Sequence, residues 1–303
     1  MKDGESSRRL GDVGEIKLVE QLTRSLPLGD SVIKGAGDDC AVVELDDQFY
    51  SLLKTDCIVE GVHFTEDTEP ELVGRKALAR AISDIAAMGG IPLHALVTLV
   101  LSEDQKVSDI EGWYRGMEDL AREFSVSIVG GETSSLPSKG AVVSISLTGR
   151  VKKDHCVFRG TAAKGDLLAV TGKLGGSFKS GRHLSFQPRI AEAQWICEGG
   201  WKPTSMMDLS DGLAKDLPRL LSGAGLGYRV DRADIPVHKD ADLKAALAEG
   251  EDYELLMTLP THFVGELGEA WESKFPDTPL TIIGEVIEKT EEPLEGGWEH
   301  FSK

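Results

Sequence analysis

No apolar run in this 303-residue chain is long enough to span a membrane. The longest, around Ala95–Leu101, is short and has His94 and Thr98 near or within it. The first residues, Met1-Lys2-Asp3-Gly4-Glu5, contain no apolar core, so no signal peptide is expected. Cysteine is scarce: Cys40, Cys57, Cys156 and Cys197 are scattered and include no Cys-x-x-Cys pair of the metal-binding type. Free thiols in a reducing cytoplasm account for them, and the expected location is cytoplasmic. Basic residues are also in short supply. Lys and Arg number 33 against 51 Asp and Glu, a formal charge of −18. That excess argues against nucleic acid or an anionic membrane as partner. It is compatible with a phosphate ligand, provided divalent cations lie between ligand and carboxylates and dominate the local charge. Finally, the chain has no Walker A loop, no dinucleotide-binding glycine fingerprint, and no arguable Ser-His-Asp or Cys-His arrangement.

What the chain does have is carboxylates at the ends of elements, most of them beside glycine, Ser or Thr. In Gly35-Ala36-Gly37-Asp38-Asp39-Cys40, two adjacent Asp residues follow a Gly-x-Gly hinge and precede an apolar run. Glycine allows close backbone approach to a ligand, but Gly and Asp also favour plain solvated turns. Both readings stand on the hexapeptide alone. The apolar spacing of Ile16, Leu18, Val19, Leu22 and Leu26 predicts a helix over residues 12–26, and Pro27 ends it. Strands are expected at 40–45 and Phe49–Leu53, the second running out into Lys54-Thr55-Asp56 at its end. Pro70 opens a helix, Glu71–Met88, closed by Gly89-Gly90. Helical steps put Asp84 in line with Ala77, Ala81 and Met88, on an apolar face. A carboxylate there needs either a cation or a salt-bridge partner, and Arg80 stands one turn away for an i,i+4 pair.

Further along, Leu93–Leu101 reads as a strand, Asp109–Glu123 as a helix, and Val126–Val129 as a short buried strand stopping at Gly130-Gly131-Glu132. Ala141–Val151 alternates, with Val143, Ile145 and Leu147 on one side and Ser144, Ser146 and Thr148 on the other, as in a half-exposed antiparallel strand. The polar stretch after Val151 marks a domain boundary. Leu167–Thr171 is a strand leading into Gly172-Lys173-Leu174-Gly175-Gly176-Ser177, either a phosphate loop or an ordinary strand–helix turn. A helix is expected over Pro188–Glu198. Asp208-Leu209-Ser210-Asp211-Gly212 opens the helix Leu213–Leu221, where one Asp suits an N-cap and the other is left unexplained. Gly250-Glu251-Asp252-Tyr253-Glu254 precedes the strand Leu255–Leu259, and the aromatic end Trp298–Phe301 suggests a tail that docks. The fold class expected from these elements is mixed α/β (α+β) in two domains, 1–150 and 151–303. A distributed set of oxygen ligands suits Mg²⁺, which binds carboxylates together with substrate phosphates.

Nine short segments in order carry a specific resemblance. They are Gly35–Cys40, Thr55-Asp56, Gly61–Phe64, Lys76–Gly89, Gly130–Thr133, Pro188–Ile190, Asp208–Gly212, Gly250–Leu255 and Trp298–Phe301. They are spread along nearly the whole chain and resemble the thiamine-monophosphate kinases of the aminoimidazole ribonucleotide synthetase superfamily. The resemblance implies an N-terminal ATP- and Mg²⁺-binding domain whose sheet pairs with its twin in a homodimer, and a C-terminal α/β domain that completes the cleft. It implies ATP as co-substrate, thiamine monophosphate as acceptor, and several Mg²⁺ ions. The acceptor is a phosphate monoester whose second pKa is about 6, so no catalytic base is required. By position, Asp39, Thr55, Asp56, Asp84, Glu132, Asp208 and Asp211 resemble metal ligands. Gly131, Glu132, Arg159 and Ser210 resemble nucleotide contacts, and His63, Glu251 and Trp298 the substrate side. The chain departs from the family in having Glu132 where Asp is common, Lys54 where Ser is frequent, and a shortened segment between Gly176 and His183. Alternatives are another ATP-dependent superfamily enzyme, or a nucleotide- or thiamine-phosphate-binding protein without catalysis.

Overall fold

A computed structural model describes residues 9–298. Its centre is one helix. Pro70 occupies the first helical turn, where its missing N–H costs nothing, and the 18-residue helix Pro70–Ala87 follows. Ala77, Ala79, Ala81, Ala86 and Ala87 are buried around it, together with larger residues such as Leu78, Ile82 and Ile85. Small side chains on several faces let neighbours approach from several directions, and this helix touches both halves of the molecule.

Preceding it are the short helices α1 (Leu10–Val13) and α2 (Glu15–Thr23), then strands β1 (Val32–Lys34), β2 (Ala41–Glu44) and β3 (Phe49–Val59). The central helix is α3. After it come β4 (Ile91–Leu101), α4 (Val107–Glu123), β5 (Ser127–Ser135) and β6 (Ala141–Lys152). These strands form one sheet in the order β1-β2-β3-β6-β4-β5. Only β4 and β5 pair in parallel, joined by α4; the other pairs are antiparallel. The alternation in β6 is as expected: Val143, Ile145 and Leu147 are buried on the α3 side, while Ser144 and Ser146 face away. α3 and α4 cross closely at two glycines. A Cβ on Gly74 would lie 1.8 Å from the Trp113 carbonyl oxygen, and one on Gly116 would lie 1.8 Å from that of Glu71.

The second half runs β7 (Leu167–Thr171), α5 (Ser177–Ser180), α6 (Arg182–Ser185), α7 (Ile190–Glu198), β8 (Ser205–Asp208), α8 (Leu213–Leu221) and β9 (Gly227–Val230). It ends with α9 (Leu243–Ala248), β10 (Leu255–Leu259), α10 (Val264–Lys274) and β11 (Leu280–Ile287). Its sheet has the order β8-β10-β7-β11-β9 and is antiparallel throughout. The larger hydrophobic core extends from α3 and the first sheet to Ile196, Met206, Leu255 and Trp271 of the second half. A smaller core lies on the far face of the second sheet, around Leu213, Leu217 and Leu220 of α8.

Several local expectations need correction. The helix expected over 12–26 is interrupted at Gly14, ends at Thr23 and buries none of its residues. β3 does not stop at Leu53. It continues to Val59 because β6 pairs with it along its whole length, so Asp56 is mid-strand. β5 does not stop at the glycines either. It runs through them as a mostly exposed edge strand, with a register shift where it passes Ala95 and Leu96. Pro188 lies just outside α7. The N-cap of α8 is Gly212, and the amides of Ser210 and Asp211 are held instead by the Asp216 carboxylate, at 3.1 and 2.9 Å.

Candidate active site

Carboxylates from three distant parts of the chain converge at the C-terminal end of α3. Asp39 comes from the loop before β2, Asp84 from the last turn of α3, and Asp208 from the end of β8. All three are buried, and one oxygen of each lies within 4.8 Å of one of each of the others. Burial pushes the Asp208 carboxyl up to about 6, and the charge of Asp39 adds to the effect. Burial also raises Asp84 well above the ordinary carboxylate range; Lys54 opposes the rise, while Asp208 and Asp56 add to it. Three buried carboxylates repel one another, so the arrangement is costly unless cations complete it. The donor set is oxygen only, as a hard divalent cation such as Mg²⁺ prefers.

Protein cations already touch this group. Lys54, two residues before Asp56 on the same face of β3, places Nζ 2.6 Å from Asp84 Oδ1. Burial would lower the Lys54 pKa, but the charges of Asp84 and Asp56 outweigh it and raise it. The Arg159 guanidinium donates to both oxygens of Asp39, and its backbone N–H donates to Asp38 Oδ2 at 3.1 Å. The two adjacent aspartates thus play different parts. Asp39 faces the cluster, and Asp38 holds the loop. Arg80 does not pair with Asp84. Helical side chains lean toward the N-terminus, and its Nε reaches Asp56 Oδ2 instead, at 3.1 Å. Ser83 Oγ donates to Asp208 Oδ2 at 2.6 Å.

About two turns back along α3, at Lys76, a second polar cluster surrounds Glu251. Lys76 is fully buried and donates from Nζ to Glu251 Oε2 (2.5 Å) and to the His63 carbonyl oxygen (2.8 Å), with His183 Nδ1 also 2.8 Å away. Burial lowers the Lys76 pKa to about 8, against the pull of Glu251. Burial of Glu251 would raise its pKa, but the His183 hydrogen bond and the charges of Lys76 and Arg80 bring it down to about 2. His63 Nδ1 accepts the Val59 N–H at 3.1 Å, so the ring proton sits on Nε2. Burial, then the Arg80 charge, lowers its pKa to about 4. His63 is therefore neutral at pH 7.

The Gly250–Glu254 segment ties these parts together. Asp252 accepts the Gly175 N–H, at 3.0 Å to each oxygen, and the Ser177 hydroxyl at 2.8 Å. The glycine loop after β7 is thus filled by the protein's own carboxylate, which decides for a structural turn over a phosphate loop. Tyr253 stacks on Phe186 with ring centroids 3.9 Å apart. Glu254 takes a two-point contact from Arg189, at 2.7 and 2.6 Å. Glu251 and Tyr253 both adopt positive φ, 54° and 52°. Non-glycine residues hold that conformation only where surrounding contacts enforce it.

The other expected site residues are spread more widely. Asp56 adjoins the cluster through Lys54 and Arg80. Ser210 accepts the Glu251 N–H at 2.8 Å and so links the Asp208–Asp211 loop to the Glu251 segment. Asp211 is outside the carboxylate trio, its side chain held by Arg219 and Lys215. Trp298 docks there: its N–H donates to the Asp211 carbonyl at 2.8 Å, and Lys215 Nζ donates to the Trp298 carbonyl. The rest of the aromatic tail lies outside the described residues. Thr55 points to the face of β3 opposite Asp56, because strand side chains alternate. Gly131 shares a row with Asp56 through Ile145 and Val97, but three strand spacings, about 14 Å, separate them. Glu132 pairs with Thr98 on the outer face. Thr55, Gly131 and Glu132 are therefore not joined to the trio within one chain. Sequence reasoning missed Lys76, Arg80, Ser83 and His183 as site residues. The helical period supplies a signal for two of them, since Lys76, Arg80 and Asp84 are spaced by four and line one face of α3.

Residues 37–151 match the family model described as AIR synthase related protein, N-terminal domain. The thiamine-monophosphate kinase of Bacillus subtilis is 31% identical over 309 residues, spanning 91% of this chain and 92% of that protein. The Aquifex aeolicus enzyme of the same name is 32% identical, spanning 97% of this chain and 100% of that protein. A solved structure described as AaThiL complexed with AMPPCP and TMP superposes with a TM-score of 0.82 at 31% identity, covering 97% of this chain and 99% of the other. The chain belongs to the thiamine-monophosphate kinase family.

Proposed function

We propose that this protein transfers the terminal phosphoryl group of ATP to the phosphate of thiamine monophosphate, giving ADP and thiamine diphosphate. The observation that carries this reading is the adjacency, along one face of α3, of a carboxylate trio and a Lys76–His63–His183–Glu251 cluster. The first suits a metal-bound triphosphate and the second a phosphorylated cation. Asp39, Asp84 and Asp208, with Asp56 beside them, would hold Mg²⁺, which neutralises and aligns the phosphates of two anionic reactants. Arg159 adds a fixed positive charge on the nucleotide side, where Ser210 is a second contact. Glu251 keeps its negative charge throughout the physiological range and faces the cationic thiazolium. His63, neutral and held through Nδ1, offers an Nε2 proton to an acceptor oxygen. Trp298 supplies a flat ring for stacking on that cation. Since the acceptor phosphate is already largely dianionic at neutral pH, no residue has to remove a proton.

The same reading places ATP binding and dimerisation in residues 1–150, and the other wall of the cleft in residues 151–303. Among the described residues, no helix is long and apolar enough to cross a membrane. The proposed setting is a cytoplasmic homodimer with neither nucleic acid nor membrane as partner. The test is formation of thiamine diphosphate from thiamine monophosphate, ATP and Mg²⁺, followed by chromatography. Tight binding of both ligands without turnover would favour the non-catalytic alternative, for which the cation already seated on Asp84 is the specific observation. ATP consumption only with some other acceptor would favour another superfamily reaction.

A further inference from the structure

The carboxylates around the trio are not equally open to a metal. Asp56 and Lys54 are i and i−2 on β3, so they stand side by side on the face that meets α3. The Lys54 ammonium is bonded to Asp84 at 2.6 Å, and Arg80 holds Asp56 at 3.1 Å. Lys54 is well shielded, with 20% of its side chain exposed, and Asp84 more so, with 9%. A buried ammonium against a buried carboxylate is not readily exchanged for water. Asp39 is likewise held, by the Arg159 guanidinium on both of its oxygens. Asp208 differs: its hydrogen-bond partner is the neutral Ser83 hydroxyl.

We propose that the Lys54 ammonium is a built-in replacement for one divalent cation, closing the Asp56–Asp84 side of the site and leaving metal to bind on the side of Asp208. The inference rests on the phosphoryl-transfer reading for its setting, but concerns a property of the free protein. Lys54 contributes one positive charge where an ion would contribute two, and it cannot leave with product. The side it closes therefore has no requirement for free metal.

The experiment counts Mn²⁺ bound per chain by electron paramagnetic resonance of the free ion, with no nucleotide and no thiamine phosphate present. Wild type is compared with Lys54→Ser, which is small, neutral and carries one oxygen donor, and with Lys54→Arg, which keeps the charge. The expected result is one additional Mn²⁺ per chain in Lys54→Ser and none in Lys54→Arg. An unchanged count in Lys54→Ser overturns the proposal, as does a gain in both variants. Removing Lys54 leaves Asp84 without its cation, so thermal melts in EDTA and in millimolar Mn²⁺ accompany the count. Mn²⁺ is expected to raise the melting temperature of Lys54→Ser more than that of wild type. A variant that stays unfolded even with Mn²⁺ also overturns the proposal, because no ion then takes the vacated place. Neither readout involves turnover, so a failed kinase assay leaves this result standing, and an unchanged metal count leaves the kinase reading standing.

Discussion

At the residue scale, the two halves of the site titrate differently, and His63 gives the cleanest consequence. Its folded pKa of about 4 lies below the ordinary 6.5. Between these values the unfolded chain takes up a proton that the folded chain refuses. The stability contribution is therefore present above pH 6.5 and lost as pH falls toward 4. Between pH 7 and pH 5 the loss amounts to about 2 kcal/mol. Glu251 acts in the same direction but only below its ordinary value of 4.5, so the two windows are separable. Urea midpoints at pH 7 and pH 5 are expected to differ less in His63→Gln than in wild type. Equal midpoint differences in the two proteins would mean that His63 is not held neutral. Trp298 gives a second residue-scale prediction. It is anchored by its backbone to Asp211 and Lys215, with its side chain half exposed. Trp298→Ala should raise KM for thiamine monophosphate by on the order of tenfold, the worth of a partly desolvated cation–π contact, and leave KM for ATP near wild type. A change confined to ATP would remove Trp298 from the substrate side.

At the scale of elements, α3 organises the molecule, and its sequence said so only in part. Pro70, the alanines and the closing glycines were enough to place it to within a residue at each end. The alternation of β6 gave its buried face directly. What could not be read was which elements would lie beside them. β3 and β5 overran their expected ends because pairing with β6 and β4 outweighs a glycine or a polar residue, and such long-range pairing leaves no local mark. The same holds for the site. Asp39, Asp84 and Asp208 were legible as costly carboxylates beside glycine or on an apolar face. Thr55 and Glu132 were read as strand-end residues and given a site role by resemblance, but both strands run on past them and the pleat puts both on the other face. The contact of α3 with α4 is testable. Gly74 and Gly116 each pass against a backbone carbonyl that cannot move without shifting a helix. Gly116→Ala is expected to cost about 3 kcal/mol, at the upper end for overpacking, read as a lower urea midpoint with an unchanged slope. A loss below about 0.5 kcal/mol, the range of an ordinary surface change, would mean that the helices separate freely.

At the scale of the whole molecule, the first sheet has one face on α3 and one face that no other described residue covers. On the open face Leu53, Leu96 and Val129 are 43, 47 and 58% exposed, and the strand register sets Leu53 of β3 and Leu96 of β4 on either side of β6. Thr55, Ser146 and Thr98 lie among them, so the face is apolar with a few hydroxyls and little charge near its middle. A face of that kind on a chain carrying −18 is poorly matched to solvent. It suits a second copy, since a two-fold axis sets like patches against each other. Net charge of one sign opposes association in general, so a contact of that kind would be built from apolar burial and not from salt bridges. Light scattering after size exclusion is expected to give twice the chain mass of 32.7 kDa for the wild type, kept or strengthened at high salt, which screens the repulsion. Leu53→Asp combined with Leu96→Asp puts charges into the middle of the contact and should give the single-chain mass while the far-ultraviolet circular dichroism is kept, because neither side chain belongs to the core. Retention of the doubled mass in that variant would place the contact elsewhere. A dimer lost at high salt would reject apolar burial as its basis.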